Sequence, residues 1–307
     1  MNWLGIRNAS AQLFGPNLLE VPQNYSQPAW DKKTQKVFTE TLIELKFEQV
    51  ILNGIHPWFL EIAETISPKT IVSFVFHGTL SEMYETASVS AFRNFINAGK
   101  NSAYRKVGFV RNGLAPVYTT LSGIPAYTLY LPVRLPGNLR AQPFEDGHIH
   151  IGILGGTGFN KNLSNQITAG LLVENSILHI TSSMYDDAWS LGNRRIRIHE
   201  VMPREEYLQL LGKMHLNSYV CFSESWGQVM SESLALGVPC LASAYNSIFS
   251  GGSFSSELAV HSPDRPEEIA ASMHRLLALK KEPEYWSRGI EELNIRAEQS
   301  LNEFLHS

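Results

Sequence analysis

Two glutamates, Glu224 and Glu232, stand eight positions apart on either side of Gly227, within the segment Tyr219–Ser243 (YVCFSESWGQVMSESLALGVPCLAS). An ionised carboxylate offers two acceptor oxygens, so this pair suits a molecule rich in hydroxyl donors. The segment reads as strand, short loop, helix, tight turn and strand. A helix that opens at Gly227 has N–H groups at Gly227, Gln228 and Val229 with the positive end of the helix dipole behind them, which makes an anion site. Glycine there lets a ligand come close to the backbone. Glu232 falls roughly two turns into the helix, so both carboxylates can face one cleft with the anion site between them. A nucleotide sugar has this layout: sugar hydroxyls at one end, ribose hydroxyls at the other, a diphosphate in the middle. Two solvated glutamates around an ordinary helix start fit the spacing as well.

The elements that must position these residues form two alternating series. Met1–Trp30 is rich in Asn, Pro, Gln and Ser, and little regular structure is predicted there. A helix follows from Asp31, with Val37, Leu42, Ile43 and Leu45 as its apolar positions. Strands are predicted at Gln49–Leu52, Thr70–Phe76, Lys106–Val110 and Ala126–Leu131, with helices over Phe59–Ile66, Ser88–Ala98 and Pro116–Leu121. The second series has strands at His148–Leu154, Ser176–Thr181, Arg195–His199, Tyr219–Phe222 and Pro239–Ala242. Its helices are Asn162–Glu174, Arg204–Met214, Gly227–Leu236, Pro266–Leu279 and Tyr285–Phe304. Apolar strands alternating with helices indicate parallel sheets covered on both faces. The turn-forming residues of 132–147 read as a linker. The expected fold class is therefore α/β, two Rossmann-like doubly wound domains facing across a cleft. Its parts are a domain over 1–137, a linker over 138–147, a ligand-binding domain over 148–283 and a closing helix over 284–307. In such a fold ligands bind at the carboxyl ends of the strands.

Bulk properties narrow the function classes. The chain has 307 residues, 44% of them hydrophobic and 18% charged, an ordinary globular composition. A net charge of -4 and a pI of about 6.2 give no general attraction to nucleic acid. The two cysteines, Cys221 and Cys240, lie in apolar runs and read as reduced core residues. No basic-then-apolar leader and no run of 18 apolar residues occurs, so a cytoplasmic protein is expected. Ten histidines include His148 and His150, but no Cys/His set has zinc-site spacing. Arg194, Arg195 and Arg197 with Arg204 read as a solvated basic rim, and a peripheral contact with a membrane or polyanion stays open.

The motif and its surroundings resemble the donor site of retaining glycosyltransferase family 4, of the GT-B fold. In that family the pattern runs E-x-F-G, E-A, G-x-P-V, A-S. Here Trp226 stands for the Phe, Ser233 for the Ala and Cys240 for the Val. The likeness extends through Arg197–Ser223 before the motif and Tyr245–Ala270 after it, the latter ending in Pro266-Glu267. Ile151–Asn162 (IGILGGTGFNKN) is similar to the family's strand followed by Gly-Arg and, five residues later, Lys. Val72–Thr79 ends in His77-Gly78, where family members often carry a histidine, and Tyr130–Leu135 stands where the family has a P-N-G-V run. The likeness covers about Gln49 to the end, and the family's opening strand and glycine-rich loop have no counterpart in Met1–Pro28, so the resemblance implies a truncated first domain.

The resemblance implies a glycosyltransferase that uses a nucleoside-diphosphate sugar, retains anomeric configuration and needs no cofactor or metal; Asp186-Asp187 is not expected to bind one. Lys161 corresponds to the lysine that holds the departing diphosphate, and Glu224 is expected to position the sugar and Glu232 the ribose. His77 is expected to touch the sugar from the other domain. Gly156 stands where the family has an arginine, so Gly155, Gly156 and Thr157 are expected to supply backbone N–H groups instead. The acceptor stays open among glycan, lipid, small molecule and modified base. The alternative is a catalytically degenerate member that binds a nucleotide sugar or a partner.

Overall fold

The computed structural model describes residues 4–19, 31–79, 86–156, 158–181, 194–252, 254 and 256–307. The chain forms two compact units, Met1–Pro132 with Arg296–Ser307, and Val133–Ile295. Both are built from parallel strands joined by helical crossovers, as the alternating pattern requires.

In the first unit the strands β1 (Gln49–Asn53), β2 (Ile71–Phe76), β3 (Lys106–Phe109) and β4 (Ala126–Thr128) lie in sequential order, all parallel. Helices over Pro57–Ile66, Thr86–Lys100 and Leu114–Ser122 make the crossovers. An aromatic cluster of Phe74, Phe95, Tyr104, Phe109 and Tyr118 fills the core. The last turns of the closing helix (Pro283–His306) belong here. Phe304 is buried, and the Lys106 ammonium donates to Leu305 O and Ser307 O at 3.0 and 2.9 Å, a cation at a helix C-terminus. One expectation is corrected: Leu4–Phe14 is a helix. Its Ala9 and Leu13, four apart on one face, are buried, and burial of that face outweighs the weak propensity of Asn8 and Ser10.

The second unit has β5 (Ile149–Ile153), β6 (Ser176–Thr181), β7 (Ile196–His199), β8 (Leu216–Tyr219), β9 (Cys240–Ser243) and β10 (Ala259–Val260). Their order across the sheet is β10-β9-β8-β5-β6-β7. Counted from β7, this is the 3-2-1-4-5-6 arrangement of a dinucleotide-type Rossmann sheet. The chain winds outward from β5 to β7, returns, and winds the other way from β8. The winding reverses between β5 and β8, so a crevice opens beyond their carboxyl ends. Segment 133–147 belongs to this unit: Ala141 N–H donates to Leu236 O and Gln142 N–H to Gly212 O, both at 2.8 Å.

The strand expected at Tyr219–Phe222 is corrected to Leu216–Tyr219. Asn217 and Ser218 are too polar to read as a buried strand, yet both are buried and partnered. Asn217 Nδ2 donates to Leu211 O and Ser233 Oγ, and Ser218 Oγ to Gln166 Oε1. Asn217 Oδ1 accepts no hydrogen bond, so it is the donors of these two side chains whose satisfaction lets them lie inside a sheet.

A row of histidines crosses one face of the same sheet. His150 Nε2 lies 2.8 Å from Asp146 Oδ1, His150 Nδ1 2.8 Å from His179 Nε2, and His179 Nδ1 2.9 Å from His199 Nε2. His215 Nδ1 accepts the His150 backbone N–H at 3.0 Å, and Phe144 lies against both His150 and His179. A singly protonated His150 that donates to Asp146 accepts at Nδ1 from His179, whose Nδ1 then accepts from His199. Burial, then the neighbouring His199, His150 and Arg197, pulls the His179 pKa down to about 3. Burial lowers His199 and His215 as well.

Candidate active site

The crevice is formed by the segments that leave β5 and β8. After β5 the chain passes Gly155 and Gly156 and makes a short 3-10 turn, Phe159–Lys161, before the helix Leu163–Leu172. After β8 it runs through Glu224 to Gly227, where the helix Gln228–Leu236 begins. A small depression lined by Gly155, Gly156, Lys161, Gln166 and Tyr219 lies between them.

Lys161 and Glu224, 63 positions apart in sequence, meet here. The Lys161 ammonium pairs with Glu224 Oε2 and donates to the Tyr219 hydroxyl at 3.1 Å. Tyr219 donates in turn to Glu224 Oε2 at 2.5 Å, and the Ser225 N–H donates to Glu224 Oε1 at 2.9 Å. Burial, the largest influence on Glu224, pushes its carboxyl up. The Lys161 charge and hydrogen bond, with those from Tyr219 and Ser225, more than offset it and hold the group below its ordinary value. Glu224 is thus a half-buried, charged acceptor held by donors from Lys161, Tyr219 and Ser225.

Gly227 caps the motif helix in the left-handed region, at φ 79°. A Cβ there would lie 2.4 Å from Asn246 Nδ2, so the position excludes a side chain on steric grounds as well. The first bond within the helix is from Met230 N–H to Gly227 O at 3.0 Å. The N–H groups of Gly227, Gln228 and Val229 precede it, which is the geometry of an anion site.

Glu232, in the second turn of that helix, is buried, with Arg204 Nη2 2.8 Å from its Oε1. This is an ion pair by distance whose alignment falls short of a hydrogen bond. Burial raises the Glu232 pKa and Arg204 only partly opposes it. Arg204 is the residue that sequence reasoning missed. It opens the helix Arg204–Gly212 and reads as part of a solvated rim, and only the fold reveals its partner. Arg195 departs from that rim too: its guanidinium donates to Leu171 O, Val173 O and Ser176 O and ties down the end of a helix.

His77 directly follows β2 in the first unit. It is buried, which lowers its pKa to about 4, and its Nε2 lies 3.3 Å from Asn53 Oδ1. A Cβ on Gly155 would meet the Tyr219 ring at 2.9 Å, whereas one on Gly156 would meet only Lys161 methylenes at 3.8 Å. Thr157, Asp186 and Asp187 lie outside the described residues. Cys221 and Cys240 are free and buried, and burial pushes the Cys221 thiol up to about 12 and Cys240 higher. Among the described residues no helix is long and apolar enough to cross a membrane.

No protein-family model matches the chain, and no curated protein is similar to it by sequence. Solved structures are similar in fold. HepE of Anabaena, in complex with UDP and glucose, superposes with a TM-score of 0.69 at 12% identity, over 89% of this chain and 81% of that one. Sucrose-phosphate synthase from Thermosynechococcus elongatus gives 0.65 at 16% identity, over 95% and 86%. A UDP-forming trehalose-phosphate synthase from Burkholderia xenovorans gives 0.64 at 12%, over 99% and 83%. The chain shares the GT-B fold of these structures: mixed α/β with two Rossmann-like parallel sheets.

Proposed function

We propose that the protein is a glycosyltransferase that moves a sugar from a nucleoside-diphosphate sugar to an acceptor, with retention of configuration and without a metal. The observation that carries this reading is the meeting of Lys161 and Glu224 at the point where the winding of the second sheet reverses, next to the N-terminus of the helix Gln228–Leu236. Lys161 and that helix end would stabilise the negative charge that grows on the departing diphosphate. Glu224 would accept hydroxyls of the sugar, and Glu232, oriented by Arg204, those of the ribose. His77 is retained as a proposed sugar contact, in neutral form because burial disfavours its protonation. The likeness in fold to a protein bound to UDP and glucose supports the donor class. The acceptor stays open among glycan, lipid, small molecule and modified base, as does a peripheral membrane contact, and a cytoplasmic location belongs to the same proposal.

A second reading is a binding module without turnover. Two observations favour it: Gly156 brings no cation to the crevice, and the Lys161 ammonium is already engaged by Glu224. The test is a thermal-shift panel of nucleotides and nucleoside-diphosphate sugars on the wild type and on Glu232→Gln. A donor at about 100 times its Kd should add about 2.7 kcal/mol to the folded state. Stabilisation by one nucleotide class, lost in the variant, supports the donor site, and sugar release with or without added acceptors separates enzyme from module. A flat panel refutes the donor site and leaves only a module that binds a partner.

A further inference from the structure

Tyr219 has no role in the motif, yet the crevice is arranged around it. Its ring is nearly buried between the two segments: a Cβ on Gly155 would lie 2.9 Å from Cε2, and one on Gly227 3.4 Å from Cδ1. Its hydroxyl accepts from Lys161 Nζ and donates to Glu224 Oε2. Burial, and then the adjacent Glu224 charge, pushes the phenol pKa well above its ordinary value, so the hydroxyl stays protonated.

Ligand binding sets this cluster a problem. The Lys161 ammonium has three donors, and the Glu224 carboxylate and the Tyr219 hydroxyl already draw on it, so a phosphate competes with both. When its ammonium turns to a diphosphate, Glu224 keeps its burial and loses its nearest cation, and burial favours the neutral acid. A protonated carboxyl would accept fewer sugar hydroxyls. Resting on the donor-site reading above, we propose that Tyr219 is a positioning residue that keeps Glu224 ionised and oriented while Lys161 transfers to the phosphate of the ligand. The phenol holds one carboxylate oxygen and the Ser225 N–H the other. The ligand class is a nucleoside diphosphate carrying a hydroxyl-rich group.

Tyr219→Phe keeps the ring between the glycines and removes the hydroxyl. UDP, ADP and GDP are titrated calorimetrically at pH 7 in buffers of different ionisation enthalpy, which reports the protons taken up on binding. The wild type should bind one of them without proton uptake. Tyr219→Phe should bind it with uptake approaching about one proton, and with affinity that falls as pH rises from 6 to 8. Equal proton stoichiometry in the two proteins overturns the proposal.

A ligand-free measurement separates its failure from that of the donor site. In Lys161→Met, Tyr219 must hold the Glu224 charge without the lysine. Adding Tyr219→Phe should raise the folded-state pKa of Glu224 above its unfolded value. Such a carboxyl stabilises the protein at low pH, and that stability is lost as pH rises. The double variant should therefore lose melting temperature between pH 5 and 8 relative to Lys161→Met alone. Parallel melting curves overturn the electrostatic role even if nucleotides bind. No nucleoside-diphosphate binding by the wild type at millimolar concentration refutes the donor-site reading and, with it, the ligand step proposed here.

Discussion

Lowering the pH from 7 to 5 should destabilise this protein through His179, and His179→Leu should remove that part of the loss. In the unfolded chain a histidine titrates near its ordinary pKa of about 6.5. In the fold, His179 is pulled down to about 3 by burial and by its neighbours. A base whose folded pKa is depressed contributes stability that is present above the unfolded pKa. That stability is lost as pH falls below it, because only the unfolded chain takes up the proton. Between pH 7 and 5 the loss from this residue is RT times the natural logarithm of about 25, or about 2 kcal/mol. His199 and His215, both lowered by burial, add losses of the same sign. The assay is urea unfolding of both proteins at pH 7, 6 and 5. Leucine leaves His150 Nδ1 and His199 Nε2 without their His179 partner, so the variant should already be weaker at pH 7 by about 1–3 kcal/mol. The diagnostic quantity is therefore the change with pH, which should be smaller in the variant by about 2 kcal/mol. Equal pH dependence in the two proteins would refute a neutral His179 in the fold.

Two further substitutions probe the crevice. Gly227→Ala introduces a Cβ at a positive φ and 2.4 Å from Asn246 Nδ2; it should lower stability by about 1–3 kcal/mol and abolish nucleotide stabilisation in a melting assay, and an alanine variant that binds normally would refute the close backbone approach. Gly156→Arg has room beside the Lys161 methylenes, so the fold should tolerate it, and a second cation should tighten nucleoside-diphosphate binding about tenfold in a direct titration, roughly 1.4 kcal/mol; no gain would refute the placement of residue 156 at the diphosphate.

The legible parts of this protein are those governed by local pattern. Runs such as Ile71–Phe76 and Ile149–Ile153 are apolar because both faces of a parallel strand are covered, and they read as strands from sequence alone. Gly227 and Gly237, both at positive φ, bracket the helix Gln228–Leu236 and made its ends readable. What escaped depends on partners distant in sequence. The strand Leu216–Tyr219 hides behind Asn217 and Ser218, whose hydrogen bonds come from elements elsewhere in the fold. Arg204 reads as a surface charge until the helix Arg204–Gly212 sets it beside Glu232, and Tyr219 as an apolar strand residue until its hydroxyl reaches Glu224. The row from Asp146 to His199 requires the register of β5, β6 and β7, which no spacing in the sequence encodes.

The same distinction explains how the crevice holds its shape. β5 and β8 pair only through Ile151 with Leu216 and Gly152 with Asn217, after which the two strands part. Beyond that point the backbone ladder cannot fix the distance between Lys161 and Glu224, and side chains replace it. Gln166 Oε1 accepts from the Val220 N–H and from Ser218 Oγ, both at 2.8 Å, while its Nε2 donates to Lys161 O at 2.8 Å. Asn162 Nδ2 donates to Val220 O at 3.0 Å, and the Phe222 N–H donates to Asn160 O at 2.8 Å. Gln166 and Asn162 are both buried, so loss of either would leave backbone groups unpaired at the cost of a desolvated polar atom. These bonds link the lysine segment to the glutamate segment at three successive positions, 160, 162 and 166. A cation and a carboxylate delivered by separate strands are thereby held at one separation before any ligand arrives, and such preorganisation is what a site for charge development requires.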